Sequence, residues 1–272
     1  MKTLSSRHNP LVARYRAAAR GETRDVMLLD GMHLVAEAVA AGARIRHAAV
    51  EMDAMNITEV GRLVDTLTRA KTDVAMASAS VMDALSPVRS PSTIVALADR
   101  PAMSAARVFE EAAPLVVVAV DVQDPGNVGA IVRVAEAGGA TALVAAGACA
   151  DPFGWKALRG SMGSALRLPI LVMPDASRAV DDARRHGCRI VATTPRGGRT
   201  LFDLDYAGPI AVLIGGEGPG LPPALVEDAD ERVTIPMDAP VESLNAAVTA
   251  ALIVYEARRQ RTRRPDSRSA AL

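Results

Sequence analysis

Two cysteines in the whole chain exclude a disulfide framework and a Cys-rich zinc centre, so no metal is expected. Cys149 and Cys188 lie in apolar stretches and read as small buried hydrophobes. Aromatic residues are also scarce: three Phe, three Tyr and one Trp leave Ala, Val and Leu to fill the core. With 50% of the residues apolar, and room in 272 residues for two ordinary domains, such a core is available. No apolar run reaches the length of a membrane span. Residues 1–10 are polar and lack the apolar centre of a secretory signal. A soluble, cytoplasmic protein is expected.

Net charge is also absent, but only as a sum. Residues 1–24 carry Lys2, Arg7, Arg14, Arg16, Arg20 and Arg24 against Glu22 alone. Residues 258–272 carry six arginines against Asp266, so the body between is acidic. Basic ends on an acidic body suit a polyanionic partner. Taken alone, they equally suit solvated helix faces and a tail.

Strand and helix patterns alternate along residues 26–98. Strands are expected at 26–29, 45–50, 73–76 and 93–98, and helices at 32–41, 57–70 and 78–85. In the second helix Val60, Leu63, Val64 and Leu67 share one face. This predicts a compact α/β domain over 1–98. Residues 99–114, with two prolines and a charged stretch, read as a linker. A second domain follows over 115–264, with strands at 115–120, 141–145, 169–173, 189–193, 210–214 and 232–235. Helices fall between them, including 176–186, and a last helix runs from 244 to about 261. Strands alternating with helices predict a parallel sheet covered on both faces. Residues 265–272 read as a basic, disordered tail.

Three blocks of the second domain carry chemistry. Residues 121–139 are a turn and helix following an apolar strand, with Asp124, Pro125, Gly126, Asn127 and Gly129 in the turn. Open α/β sheets bind ligands at the carboxyl ends of such strands. The plainer reading is a turn with Asn127 as the helix N-cap. Residues 210–221, Ile-Ala-Val-Leu-Ile-Gly-Gly-Glu-Gly-Pro-Gly-Leu, run from a strand into a glycine-dense loop. Neither G-x-G-x-x-G nor G-x-x-x-x-G-K-[ST] fits this loop, and Glu217 at its centre would repel a pyrophosphate. A cationic or hydroxyl-rich ligand suits it better; a hairpin with an exposed Glu is the plainer reading. Residues 235–245 place Ser243, Leu244 and Asn245 at a helix start, where backbone N–H groups point outward. Ser243 read alone is an N-cap.

Together the blocks resemble the SpoU (TrmH-type) RNA ribose 2′-O-methyltransferases of the SPOUT class. The matching text is Asp-Pro-Gly-Asn-Val-Gly-Ala-Ile-Val-Arg (124–133), Ile-Gly-Gly-Glu-Gly-Pro-Gly-Leu (214–221), and Ile-Pro-Met (235–237) with Ser-Leu-Asn (243–245), in the family's order and spacing. A weaker match spans 159–169. Residues 5–10 and 29–35 resemble the ribosomal-protein-like RNA-binding domain that some members carry, with Asp30 where a glutamate is usual.

The resemblance implies a trefoil-knotted SPOUT domain, a homodimer, and S-adenosylmethionine held by Thr193, Gly215, Gly216, Ile235 and Leu244, with Leu221 at the edge. It makes Asn127, Arg133, Glu217, Ser243 and Asn245 the catalytic set. RNA binding falls to Arg7, His8, Arg14, Arg16 and Arg24. Without the motif, Arg133 on its polar stripe with Gly129 and Glu136 reads as a solvated or paired surface charge. Because a guanidinium is effectively never deprotonated, a clamp on the target phosphate and on the developing 2′-oxyanion suits it better than a base. The 2′-hydroxyl favours an RNA substrate, and the accessory domain and basic ends favour ribosomal over transfer RNA. Two alternatives are a non-catalytic RNA-binding or resistance-type protein that keeps the cofactor pocket, and a small-molecule enzyme with a nucleotide cofactor.

Overall fold

A computed structural model describes residues 1–263; the tail read at 265–272 lies outside the described residues. The chain forms two compact units. One comprises Met1–Ala102 with Phe153–Arg167, and the other Met103–Pro152 with the chain from Leu168 onward. Residues 153–167, read from the sequence with the second domain, therefore group with the first unit. Among the described residues no helix is long and apolar enough to cross a membrane.

The first unit contains β1 (Lys2–Leu4), α1 (Pro10–Ala19), β2 (Val26–Asp30), α2 (Met32–Ala40), β3 (Ile45–Glu51), α3 (Thr58–Arg69), β4 (Asp73–Ala77), α4 (Ala79–Leu85) and β5 (Ile94–Asp99). Its sheet runs β1-β4-β3-β5-β2, with β1, β4 and β3 parallel and β5 antiparallel to both β3 and β2. All five residues of β2 are buried, as a strand covered on both faces requires. The four apolar residues expected on one face of α3 are all buried. Helix α1, unexpected from the sequence, starts by a familiar rule: Asn9 accepts a hydrogen bond from the Leu11 N–H and Pro10 opens the helix.

Inside this core the Tyr15 hydroxyl lies 2.8 Å from His47 Nδ1. Burial holds the His47 ring below the usual histidine range and the Tyr15 phenol well above its own. Two carbonyls, of His47 and Val95, lie 3.3 Å from the same hydroxyl. The 153–167 segment adds Trp155, which packs on the core, and Arg159, whose Nη1 is 3.7 Å from the buried Asp30 carboxylate.

The second unit contains α5 (Ala105–Val108), β6 (Leu115–Val120), α6 (Pro125–Gly138), β7 (Ala142–Ala146), then, after α7 (Trp155–Ser161) of the first unit, β8 (Ile170–Met173), α8 (Ala176–Arg185), β9 (Arg189–Thr193), β10 (Arg199–Thr200), β11 (Ile210–Gly215), α9 (Pro223–Asp228), β12 (Glu231–Thr234) and α10 (Ala246–Arg263). All seven strands are parallel in the order β10-β12-β9-β11-β6-β7-β8. Every residue of β6 and β7 is buried, which explains their unbroken Ala/Val/Leu text. From β6 the chain steps outward to β7 and β8, then crosses to the opposite side for β9 and β11. The order thus reverses between β6 and β11, the position where open sheets leave a crevice beyond their strand ends.

The expected linker is not featureless: it holds α5, with Val108 and Phe109 buried and the Phe109 ring stacked on His186 at 4.8 Å. Helices α6 and α10 meet at Gly138, where a Cβ would overlap the Val254 side chain.

Two outcomes follow. In Gly138→Ala the overlap outweighs the roughly 1 kcal/mol that alanine normally adds to a helix. A net loss of about 1–2 kcal/mol is expected in urea unfolding. Burial lowers the His47 pKa in the fold, so as pH falls below the ordinary value of about 6.5 the unfolded chain takes up a proton before the folded one does. The His47 contribution to stability is therefore constant above that pH and falls as pH drops through it, and in His47→Gln this step disappears.

Candidate active site

The turn after β6, the glycine loop after β11 and the segment leading into α10 converge at the sheet's carboxyl end. Helix α6 is capped by Asp124, whose Oδ1 accepts the Asn127 N–H at 2.8 Å. This corrects the reading of Asn127 as N-cap and frees its carboxamide for other contacts. The Asn127 Nδ2 donates to Glu217 Oε1, and the Asn127 Oδ1 accepts from Asn245 Nδ2 at 2.9 Å. Asn245 in turn accepts from the Ala247 and Val248 N–H groups at 2.9 and 3.3 Å. It, rather than Ser243, caps α10. One residue from each motif is thus tied into a single chain of hydrogen bonds.

The glycine loop is shaped by close approaches. A Cβ on Gly215 would lie 2.5 Å from the Gly220 carbonyl carbon, and one on Gly216 would overlap the backbone carbonyl of Asp121. Gly216 and Gly220 pair as an antiparallel bridge, so the loop is a tight hairpin carrying Glu217 near its tip. The plainer reading of this loop, a hairpin with an exposed Glu, describes its backbone.

A cavity of 380 Å³ opens between this hairpin, the end of β9 and the 235–246 segment. That is within the usual range for small-molecule sites, roughly 300–1,000 Å³. Thr193, Gly215, Gly216, Leu221, Ile235 and Leu244 all line it, together with Glu217, Ser243 and Asn245. Thr193 gives its hydroxyl to the Leu213 carbonyl at 2.9 Å, so it shapes the wall rather than offering a free donor. Among the described residues, Glu217 is the one acidic side chain on the lining, and no basic side chain lines it. Thr194, Pro195, Met237, Thr249 and Ile253 also line the cavity and were not singled out from the sequence. Met237 stood within the quoted Ile-Pro-Met text, and Thr194 follows a strand end; the two α10 residues carried no signal apart from the helix.

Arg133 is placed differently. It is exposed on α6, does not line the cavity, and has no hydrogen bond or ion pair among the described residues. Its expected stripe partner Gly129 is buried; Gly126 and Ala137 are the exposed neighbours one or two turns away. Of the five residues expected to bind RNA, Arg7 donates to the Ser80 carbonyl at 2.6 Å and approaches Asp83, and Arg16 donates to the Ala84 carbonyl at 3.2 Å. Arg16 therefore ties α1 to α4, and Arg7 ties the turn before α1 to the same helix. The side chains of His8, Arg14 and Arg24 are exposed with no hydrogen bond or ion pair among the described residues. Cys188 is buried as expected, whereas Cys149 is half-buried and hydrogen-bonded, accepting from the Val122 N–H and donating to the Ala119 carbonyl, both at 3.2 Å.

The model of the SpoU rRNA Methylase family matches residues 114–255. The chain belongs to this family. An uncharacterized tRNA/rRNA methyltransferase of Synechocystis is 31% identical over 264 residues, covering 95% of this chain and 94% of that protein. The 23S rRNA (guanosine(2553)-2'-O)-methyltransferase RlmP of Bacillus subtilis is 29% identical, covering 95% of this chain and all of that protein. Among solved structures, the SpoU methyltransferase AviRb of Streptomyces viridochromogenes in complex with AdoMet superimposes with a TM-score of 0.84 at 31% identity, covering 94% of this chain and 99% of that one. The second unit is accordingly a SPOUT-type α/β domain.

If Asn127 and Asn245 share one hydrogen bond, Asn127→Ala and Asn245→Ala are not additive. A double-mutant cycle in urea is expected to give a coupling of about 0.5–1.5 kcal/mol. Full additivity contradicts the shared bond.

Proposed function

We propose that this protein is an S-adenosylmethionine-dependent methyltransferase acting on a ribose 2′-hydroxyl of ribosomal RNA, in the cytoplasm and as a homodimer. The observation that carries the reading is the Asn127–Glu217–Asn245 cluster at the rim of the 380 Å³ cavity. The lining fits the cofactor: apolar Ile235, Leu221 and Leu244 for a nucleobase, backbone groups of a tight loop, and a lone carboxylate for a cation. Once bound, S-adenosylmethionine supplies an activated methyl group on a cationic sulfur.

The chain's own residues do the rest. Asn245 and Glu217 fix both ends of the Asn127 carboxamide, so the cluster needs no rearrangement when RNA arrives. Glu217 keeps its second oxygen available to accept a hydroxyl hydrogen, and the exposed Ser243 hydroxyl can orient the same group. Arg133, permanently charged and unpaired among the described residues, serves as the clamp on phosphate and developing oxyanion rather than as a base. An exposed apolar stripe on α10, Val248, Leu252 and Tyr255, supports the homodimer. The packing of the 216–220 hairpin against Asp121 supports the trefoil knot. His8, Arg14 and Arg24 are the residues of the first unit proposed to meet RNA.

Titration calorimetry with S-adenosylmethionine is expected to show binding to the intact protein, and absence of binding contradicts the reading. Arg133→Ala is expected to keep that affinity while methyl transfer to ribosomal RNA falls about 10²–10³-fold. RNA binding without any transfer by the unaltered protein favours the non-catalytic alternative.

A further inference from the structure

A second pocket of 320 Å³ adjoins the cofactor cavity and shares Pro195, Ile235 and Met237 with it. Its remaining walls include Arg196 and Val241, and among the described residues no acidic side chain lines it. The 194–198 loop that carries Arg196 is held at its base. The Gly198 N–H donates to Thr234 Oγ1 at 2.9 Å, and the Thr194 and Thr234 hydroxyls lie 3.2 Å apart. Gly198 presses so closely on the Arg232 carbonyl that a Cβ there would lie 2.8 Å from it.

Neighbouring arginines are spoken for. Arg189 and Arg199 both pair with Glu231, and Arg232 donates to the Val226 carbonyl. Arg196 is exposed, with no hydrogen bond or ion pair among the described residues. A fixed loop thus holds an unpaired guanidinium at the mouth of a pocket whose other side, Met237 and the 51%-exposed Val241, is apolar. One cation beside an apolar surface suits a ligand with an anionic group joined to a flat, weakly polar body. A nucleotide has that form, and a guanidinium matches its phosphate in geometry as well as charge.

We infer that this pocket is a subsite for an RNA nucleotide next to the one methylated, with its phosphate on Arg196 and its base against Val241 and Met237. This rests on the RNA methyltransferase reading above. It also gives the RNA a second anchor on the second unit besides Arg133, so that the target ribose is positioned by phosphate contacts rather than by its base alone.

The test uses the full-length protein, a 23S rRNA transcript as probe, and filter binding across a salt series, with S-adenosylmethionine affinity measured in parallel. Arg196→Ala is expected to weaken RNA binding about 10-fold and to lower the log–log salt slope by about 0.7, the loss of one single-strand phosphate contact. Arg196→Lys restores most of the affinity, because the phosphate still meets a cation. Val241→Ser weakens RNA binding without changing the salt slope. All three keep the S-adenosylmethionine affinity of the unaltered protein, which also shows that they fold. Unchanged RNA affinity and slope in Arg196→Ala overturn the subsite, as does a loss of S-adenosylmethionine binding, which would make Arg196 part of the cofactor cavity. If the unaltered protein binds neither RNA nor S-adenosylmethionine, the underlying functional reading falls, and the subsite with it.

Discussion

The contact between the Asp121 carbonyl and Gly216 is the constraint on which the site depends. Asp121 sits at φ 54, a left-handed conformation that costs a non-glycine residue of order 1–2 kcal/mol. Its Oδ1 accepts the Ala148 N–H at 2.7 Å, and the same carboxylate leaves no space for a side chain at Gly147. Its carbonyl does the same at Gly216. One residue thereby locks together the loops following β6, β7 and β11. The lock brings Glu217 within reach of Asn127, and Asn127 then holds Asn245 and the start of α10. Strain at the end of β6 is offset by the order it imposes on three loops.

Charge is used with similar economy. Most arginines of the second unit end on carbonyls or carboxylates: Arg184 on Asp228, Arg259 on Glu256, Arg261 on the carbonyls of Ala113 and Gly208. Such residues hold the fold and are not available to a polyanion. Arg133 and Arg196 are exposed and unpaired among the described residues, and both belong to segments that border the sheet's carboxyl end. A chain with zero net charge can therefore still offer a phosphate backbone a small number of well-placed cations.

Much of this was legible in the sequence because the strands of a buried parallel sheet are unbroken apolar runs; β6, β9 and β11 fall within a residue of where the pattern put them. The glycine loop and the Ser-Leu-Asn text pointed to the cavity because close backbone approach demands glycine and helix starts demand polar side chains. What the pattern missed was decided by tertiary contact. Asp124 and Asn127 are both good N-caps, and so are Ser243 and Asn245. Only the meeting of two distant carboxamides settles which of each pair does the capping. Residues 153–167 lie between two strands of one unit in the sequence, yet Trp155 and Arg159 find their partners in the other. No local periodicity encodes that choice. The linker concealed Phe109 because one buried ring against His186 leaves no repeat to detect.

On the proposed function, the Asn127–Glu217–Asn245 cluster presents a ribose hydroxyl, not a base nitrogen or carbon, to the methyl donor. The most direct measurement supplies S-adenosylmethionine labelled in its methyl group and unmodified 23S rRNA to the purified protein, then digests the RNA to nucleosides and locates the label. A single 2′-O-methylated nucleoside carrying all the incorporated label is expected. Label on a base, or no incorporation by protein that binds both the RNA and the cofactor, contradicts it.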